Sequence, residues 1–172
     1  MNESKYYAGI GSRETPKNIL DLMTKISGEL EKRNWILRSG HAPGADTAFE
    51  KGCQKSEIFI PWKGFNDSHN GIYEWTEEQL ELAEREVMSV LGKKHWSYLT
   101  QGAKKLHTRN WRQIFGVDGK NPSKFVICWT LNANPIDGTR TGILLAQKAN
   151  IPVFNIGDSK IENTLRKNFN MF

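Results

Sequence analysis

The sequence is poor in cysteine, in long apolar runs and, over one stretch, in acid. Only Cys53 and Cys128 are cysteines, and neither sits in a Cys-x-x-Cys or Cys/His spacing, so no zinc or other metal is expected. Cys128 lies within Phe125-Val126-Ile127-Cys128-Trp129 and reads as a buried core thiol. No apolar run reaches the length that spans a bilayer. Met1 to Lys5 is polar and lacks the apolar stretch of a secretory signal, so the expectation is a cytoplasmic protein with no membrane partner.

The shortage of acid is local. Between Lys93 and Lys124 the only acid is Asp118, against Lys93, Lys94, Lys104, Lys105, Arg109, Arg112, Lys120 and Lys124. The preceding stretch, Glu74 to Glu86, is mostly acidic. The net charge of +5 is modest, but this clustering suits a polyanionic partner. It suits a solvated basic helix face equally well.

What is present is an alternation of short apolar runs with helical periods. The length, 172 residues, fits one domain over 1–172 with one core. Tyr6 to Ile10, Trp35 to Leu37, Glu57 to Ile60, Ser123 to Thr130 and Pro152 to Asn155 read as strands. Between them, Ile19, Leu22, Met23, Ile26 and Leu30 recur at helical spacing after Thr15-Pro16, read as an N-cap with proline at the first helical position. Ala45 to Lys51 reads as a helix closed by Gly52. Thr76 and Gln79 make a capping box that opens a helix to about Val90, and a basic helix is expected over Tyr98 to Phe115. Further helices are expected from Thr139 to about Ala149 and from Ser159 onward. Residues 61 to 75 have no period and read as a long functional loop. The pattern predicts an α/β fold: a Rossmann-like, doubly wound parallel sheet of about five strands with helices on both faces.

In such sheets ligands bind beyond the carboxyl ends of the strands. Three loops should meet there. In Gly11-Ser12-Arg13, glycine permits close backbone approach, serine offers a hydroxyl and arginine a bidentate cation. In Ser39-Gly40-His41-Ala42-Pro43-Gly44-Ala45-Asp46, small residues let backbone N–H groups face an anion at a helix N-terminus. Asp46 would hold that loop or bond a ribose hydroxyl; in a plain turn it would only offset the helix dipole. His41 reads as a surface histidine. In Asp137-Gly138-Thr139-Arg140-Thr141-Gly142, the threonines can donate to an anion, and Arg140 would clamp it or point to solvent. A fourth element, Leu106-His107-Thr108-Arg109-Asn110, lies on the basic helix, where His107 and Arg109 are too close in sequence to share one face.

The order of these pieces resembles the SLOG superfamily. It is closest to small DprA/Smf-like recombination mediators commonly encoded by phages, and more distant from the lonely-guy phosphoribohydrolases. The carriers are Ala8 to Arg13, Leu37 to Glu50, Arg109-Asn110, Asn121 to Thr130, Gly138-Thr139 and Ile151 to Asn155. In the mediators, similar loops bind single-stranded DNA and a recombinase is the partner. In the lonely-guy enzymes they bind a nucleoside monophosphate, and an arginine and a glutamate act together to cleave its N-glycosidic bond. Arg109 matches the arginine, but Gly142 stands at the place of the glutamate. Asp137 alters the glycine pair, and His41 replaces a glycine usual in the phage-type proteins.

The resemblance therefore implies a phosphate-binding site made of Gly11, Ser12, Arg13, Ser39, Gly40, His41, Gly44, Asp46, Arg109, Asn110, Gly138, Thr139, Arg140 and Thr141, with no cofactor. Three readings follow. The first is a non-catalytic binder of a nucleotide or single-stranded DNA, with Trp62, Trp75, Trp96 and Trp111 as stacking candidates and Trp129 assigned to the core. The second is a nucleoside 5′-monophosphate hydrolase, for which Arg109, Asp46 and Asp137 are the catalytic candidates. The third is a phage protein, in the host cytoplasm, that sequesters a nucleotide immune signal. Related domains pair or form tetramers, so a homo-oligomer is expected.

Overall fold

Strand and helix alternate as the apolar spacing requires. The computed structural model describes residues 5–169. The strands are β1 (Lys5–Gly9), β2 (Trp35–Ser39), β3 (Ser56–Ile58), β4 (Val126–Cys128) and β5 (Val153–Asn155). The helices are α1 (Lys17–Lys32), α2 (Ala45–Lys51), α3 (Glu77–Leu91), α4 (Lys93–Tyr98), α5 (Gln101–Phe115), α6 (Thr139–Lys148) and α7 (Ser159–Asn168).

All strands pair in parallel, in the order β3-β2-β1-β4-β5. The chain winds outward from β1 to β3 and then crosses back to place β4 on the other side of β1. The switch point therefore lies between β1 and β4, and their following loops part to leave a crevice. The pairing continues past β1: Ile10 N–H donates to Ile127 O at 3.0 Å and Ser12 N–H to Trp129 O at 3.2 Å. That anchors the floor of the crevice.

Successive strand residues point to opposite faces, and each face has its own core. Tyr7, Leu37 and Ile127 pack with Ile19, Leu22, Met23, Ile26 and Leu30 of α1 and with Phe49 of α2. Ala8, Ile10, Val126 and Cys128 pack against α3, α5 and α6 through Val87, Trp111, Ile114 and Ile143. The apolar stripe expected on α1 is thus its buried face, each such side chain contributing about 1.5–3 kcal/mol. Cys128 is fully buried, as expected of a core thiol. Two helix-to-strand turns place asparagine in the left-handed region, Asn34 (φ 67°) before β2 and Asn150 (φ 58°) before β5.

Several local expectations need correction. Pro16 is itself the extended cap residue of α1, and Thr15 instead donates its hydroxyl to Ser12 O at 2.6 Å. That bond ties down the loop after β1 rather than the helix. The basic helix does not begin at Tyr98. Tyr98 ends the short α4, Leu99 is extended, and Thr100 caps α5 by accepting from Ala103 N–H. The apolar run 123–130 contributes only a three-residue strand. The loop 61–75 is not wholly irregular: it contains a 3₁₀ turn at Phe65–Asp67, and Ile72 bridges back to Phe59. Thr76 caps α3 as expected, accepting from Gln79 N–H at 3.2 Å.

Candidate functional site

The crevice is a cavity of about 370 Å³ at the carboxyl ends of the strands. Gly11, Ser12 and Arg13 line it from the loop after β1, and Asp46 from the first turn of α2. Asp137, Gly138 and Thr139 line it from the loop and helix after β4, while Arg109 and Asn110 reach it from α5. Turns far apart in the chain thus meet at one concavity.

The other expected residues lie behind this lining. Ser39 is buried and donates to Glu50 Oε2 at 2.8 Å. Gly40 lends its carbonyl to Arg109. A Cβ at Gly40 would lie 2.8 Å from Arg109 Cζ and 2.9 Å from Asp46 Oδ2, so only glycine leaves room for that contact. Gly44 (φ 95°) packs against Arg13, whose Cα would be 2.9 Å from an added Cβ. Thr141 is fully buried, its hydroxyl 2.7 Å from His107 Nδ1. Arg140 is partly exposed and does not line the cavity.

His41 differs from the surface histidine expected. It is half-buried in a left-handed conformation (φ 58°), and its Nδ1 lies 2.7 Å from Glu50 Oε1. A carboxylate only accepts, so Nδ1 carries the proton in this pair. His41 O in turn accepts from Asn66 Nδ2 at 2.9 Å, which joins the long loop to the loop after β2.

Arg109 is the hub of the site. It is 6% exposed, and its Nη1 donates to Gly40 O at 2.5 Å and to Phe59 O at 3.3 Å. Its Nε donates to Asn110 Oδ1 at 2.9 Å, and Asn110 Nδ2 donates to Gly138 O at 3.0 Å. Phe65, from the long loop, places its ring 5.3 Å from the guanidinium carbon. One arginine–asparagine pair thus spans from the ends of β2 and β3 to the start of α6. Burial pulls the Arg109 pKa below its ordinary value, and the nearby Arg13 adds to this, while Asp46 opposes both.

Asp46 is nearly inaccessible. Burial pushes its carboxyl up to about 6, against the opposing pull of Arg109 and of the Ala42 N–H that donates to Oδ2 at 3.2 Å. Its Oδ2 bonds the loop's own backbone, and Asp46 also lines the cavity. His107 also lines the cavity, although it is two residues from Arg109. Its ring turns toward α6 while Arg109 turns toward β2, so α5 covers the cavity from both flanks. Burial first, and then the nearby side chains of His95, Arg109 and Arg140, hold the His107 pKa below the ordinary imidazole value.

The donors on the rim are only partly used within the protein. Ser12 Oγ accepts from Glu14 N–H at 3.0 Å, and among the described residues no acceptor takes its hydroxyl hydrogen, which a ligand can use. Arg13 is exposed at the mouth. The glycine at 142 leaves the cavity without a carboxylate on α6; a Cβ there would meet Ile10 Cδ1 at 2.8 Å. Among the described residues, no group of three or more His, Cys, Asp or Glu side chains gathers as a metal site. Among them too, no helix is long and apolar enough to cross a membrane.

The expected basic surface is reduced by burial, because Arg109 and Arg112 are interior while Lys93, Lys94, Lys105, Lys120 and Lys124 are exposed. The tryptophans stand apart from the cavity. Trp96 and Trp111 are buried, Trp75 stacks on Arg112 at 3.6 Å, and Trp129 packs partly buried against the core as assigned. Trp62 is 39% exposed but does not line the cavity either. Reading the sequence missed Gln113, Glu14 and Ala103 among the lining residues. The signal for Gln113 was its position one helical turn beyond Arg109.

No protein-family model matches the sequence, and no curated protein does. Among solved structures, the chain is similar to DNA processing protein A from Helicobacter pylori, described for its single-stranded DNA binding mode. The two share 18% identity with a TM-score of 0.55 over 88% of this chain and 65% of that one, so the match spans slightly under two thirds of that protein. At this identity the likeness is one of fold, and it places the parallel sheet described above in the same architecture as that protein.

Proposed function

We propose that this chain binds single-stranded DNA, holding a phosphate-bearing nucleotide unit in the cavity beyond β1 and β4 without cleaving it. The observation that carries this reading is the meeting of three strand-end loops with the buried Arg109–Asn110 pair around one cavity. Gly11, Ser12, Arg13, Gly138 and Thr139 supply amides, hydroxyls and a guanidinium suited to a phosphate. The likeness in fold to a DNA processing protein described for single-stranded DNA binding supports it. So does a second groove between α1 and α2 that adjoins Arg13 and would carry the strand onward; it is lined by Lys25, Lys51, Gly44 and by Lys17, which pairs there with Asp21 at 3.4 Å.

The test is fluorescence anisotropy with a labelled single strand over a series of salt concentrations. Affinity should fall steeply with salt, each neutralised phosphate adding about 0.7 to the logarithmic slope. A flat dependence overturns the proposal.

One observation favours a second reading, hydrolysis of a nucleoside 5′-monophosphate. Asp46 faces the cavity beside Arg109, with a pKa of about 6, the range useful to a general acid or base. Chromatography for free base after incubation with the common monophosphates tests it. Absence of product at high protein concentration removes that reading.

A further inference from the structure

One residue that lines the cavity has a side-chain amide nitrogen that nothing bonds among the described residues. Gln113 lies on the arc of α5 that also carries Leu106, Arg109 and Asn110 to the cavity, and it lines that cavity. A helical side chain leans back over the preceding turn, so Gln113 leans beneath Arg109 and Asn110. The residue is 3% exposed, and its Nε2 is enclosed without a hydrogen-bond partner. Among the described residues no donor reaches its Oε1. Its main-chain carbonyl accepts from Ser123 Oγ at 2.8 Å. A carboxamide offers two donors and an acceptor, and interior groups of this kind are rarely left unpaired.

The surroundings indicate what would pair with it. Ile10 and Gly142 line the same cavity and are apolar, and the Ile10 side chain packs against the Gly142 backbone where a Cβ would stand. The rim carries the hydroxyl, amide and guanidinium groups already described. A ligand that satisfies both levels has an anionic, hydroxylated part at the rim and a flat heterocycle below. The edge of that heterocycle must set a donor beside an acceptor. Nucleobases have such edges, as when a glutamine bonds the N6 and N7 atoms of adenine. At about 370 Å³ the cavity is at the small end for ligand sites and suits one nucleotide unit.

We infer that the cavity takes a single base of the bound strand edge-first onto Gln113, which makes Gln113 the residue that sets base preference. The inference rests on the single-strand reading and adds to it that a base, and not only the backbone, is recognised.

The experiment compares equal-length strands of deoxyadenylate, deoxycytidylate, thymidylate and abasic sugar-phosphate, each at low and moderate salt. They are titrated against the full chain and against Gln113→Leu and Gln113→Met. The native protein should bind its preferred homopolymer about tenfold tighter than the abasic strand, and the homopolymers should differ among themselves by about fivefold. Both variants should keep the salt slope but reduce the differences among homopolymers to about twofold or less. They should melt no lower than the native protein, because they remove an unpaired interior amide. Equal binding of abasic and base-bearing strands with a steep salt slope overturns the inference and leaves strand binding standing. Homopolymer preference that persists undiminished in Gln113→Met also overturns it. If the native protein binds none of the strands, both readings fall together.

Discussion

The two walls of the cavity are built differently. On the β2 side, the loop from Gly40 to Asp46 is fastened by interior bonds: Arg109 to Gly40, Ala42 to Asp46, His41 and Ser39 to Glu50. On the β4 side, the stretch from Leu131 to Gly138 is mostly exposed, and Asn132, Ala133 and Asp137 all take left-handed conformations. Its ties are fewer and lie at its ends. Asn155 bonds the backbone and hydroxyl of Thr130, and Asn110 bonds the carbonyl of Gly138. The contrast teaches that one wall is pre-organised by buried polar groups while the other is free to adapt to a ligand, since exposed, weakly bonded segments open at low cost.

The largest expected effect breaks the fastened wall. Arg109→Ala leaves the carbonyls of Gly40 and Phe59 without their donor and removes the cation beside buried Asp46. It should cost about 2–4 kcal/mol in urea denaturation, from interior carbonyls left without their donor and the space left by the side chain. A loss below about 1 kcal/mol would show that the two walls are held equally loosely.

Asp46 gives the next effect, and its sign follows from its raised pKa. A carboxyl at about 6 in the folded state, against an ordinary value of 3.8, keeps its proton longer when folded. Its contribution is therefore fully present below about pH 4 and is lost as pH rises through about 6. Asp46→Asn, which can still accept from Ala42 N–H, should flatten that loss and be more stable at neutral pH by up to about 3 kcal/mol. The same substitution should remove any tightening of single-strand binding on acidification. Denaturation and anisotropy series across this pH range read both, and a variant as pH-dependent as the native chain would contradict the assignment.

The smallest effect probes the open wall. Asp137→Gly relieves a left-handed non-glycine residue (φ 56°) and removes an acid from the mouth of the cavity. It should stabilise the fold by about 0.5–1 kcal/mol and strengthen binding of a phosphate-bearing strand severalfold. Weakened binding would mean that Asp137 contacts the ligand instead of repelling it.

Much of the scaffold was legible because its signals are local. The apolar stripe of α1 recurs within four residues, and the Thr76–Gln79 cap spans a single turn. The glycine-bearing turns after β1, β2 and β4 announced themselves by the same short-range chemistry. The polar bonds of the site were not legible. Arg109 reaches Gly40 across 69 residues and His107 reaches Thr141 across 34, and no spacing rule connects them. His41 looked like a surface residue because its partner Glu50 lies on the next helix, beyond the turn. The tryptophans suggested stacking because an aromatic residue carries no mark of which face it will occupy.

By itself the sequence determined the alternation of strand and helix, the parallel class that follows from it, and the residue types at each strand end. Periodicity and turn chemistry act over a few residues, so they survive without knowledge of the rest of the chain. Tertiary structure alone decided that β4 returns beside β1 and opens the crevice there. It also decided that Asp46 is buried far enough to hold its proton to about pH 6, and that Gln113 ends beneath the cavity with its amide unpaired. Desolvation and the satisfaction of polar groups depend on which distant segments exclude water from one another, and that is settled only when the sheet is assembled.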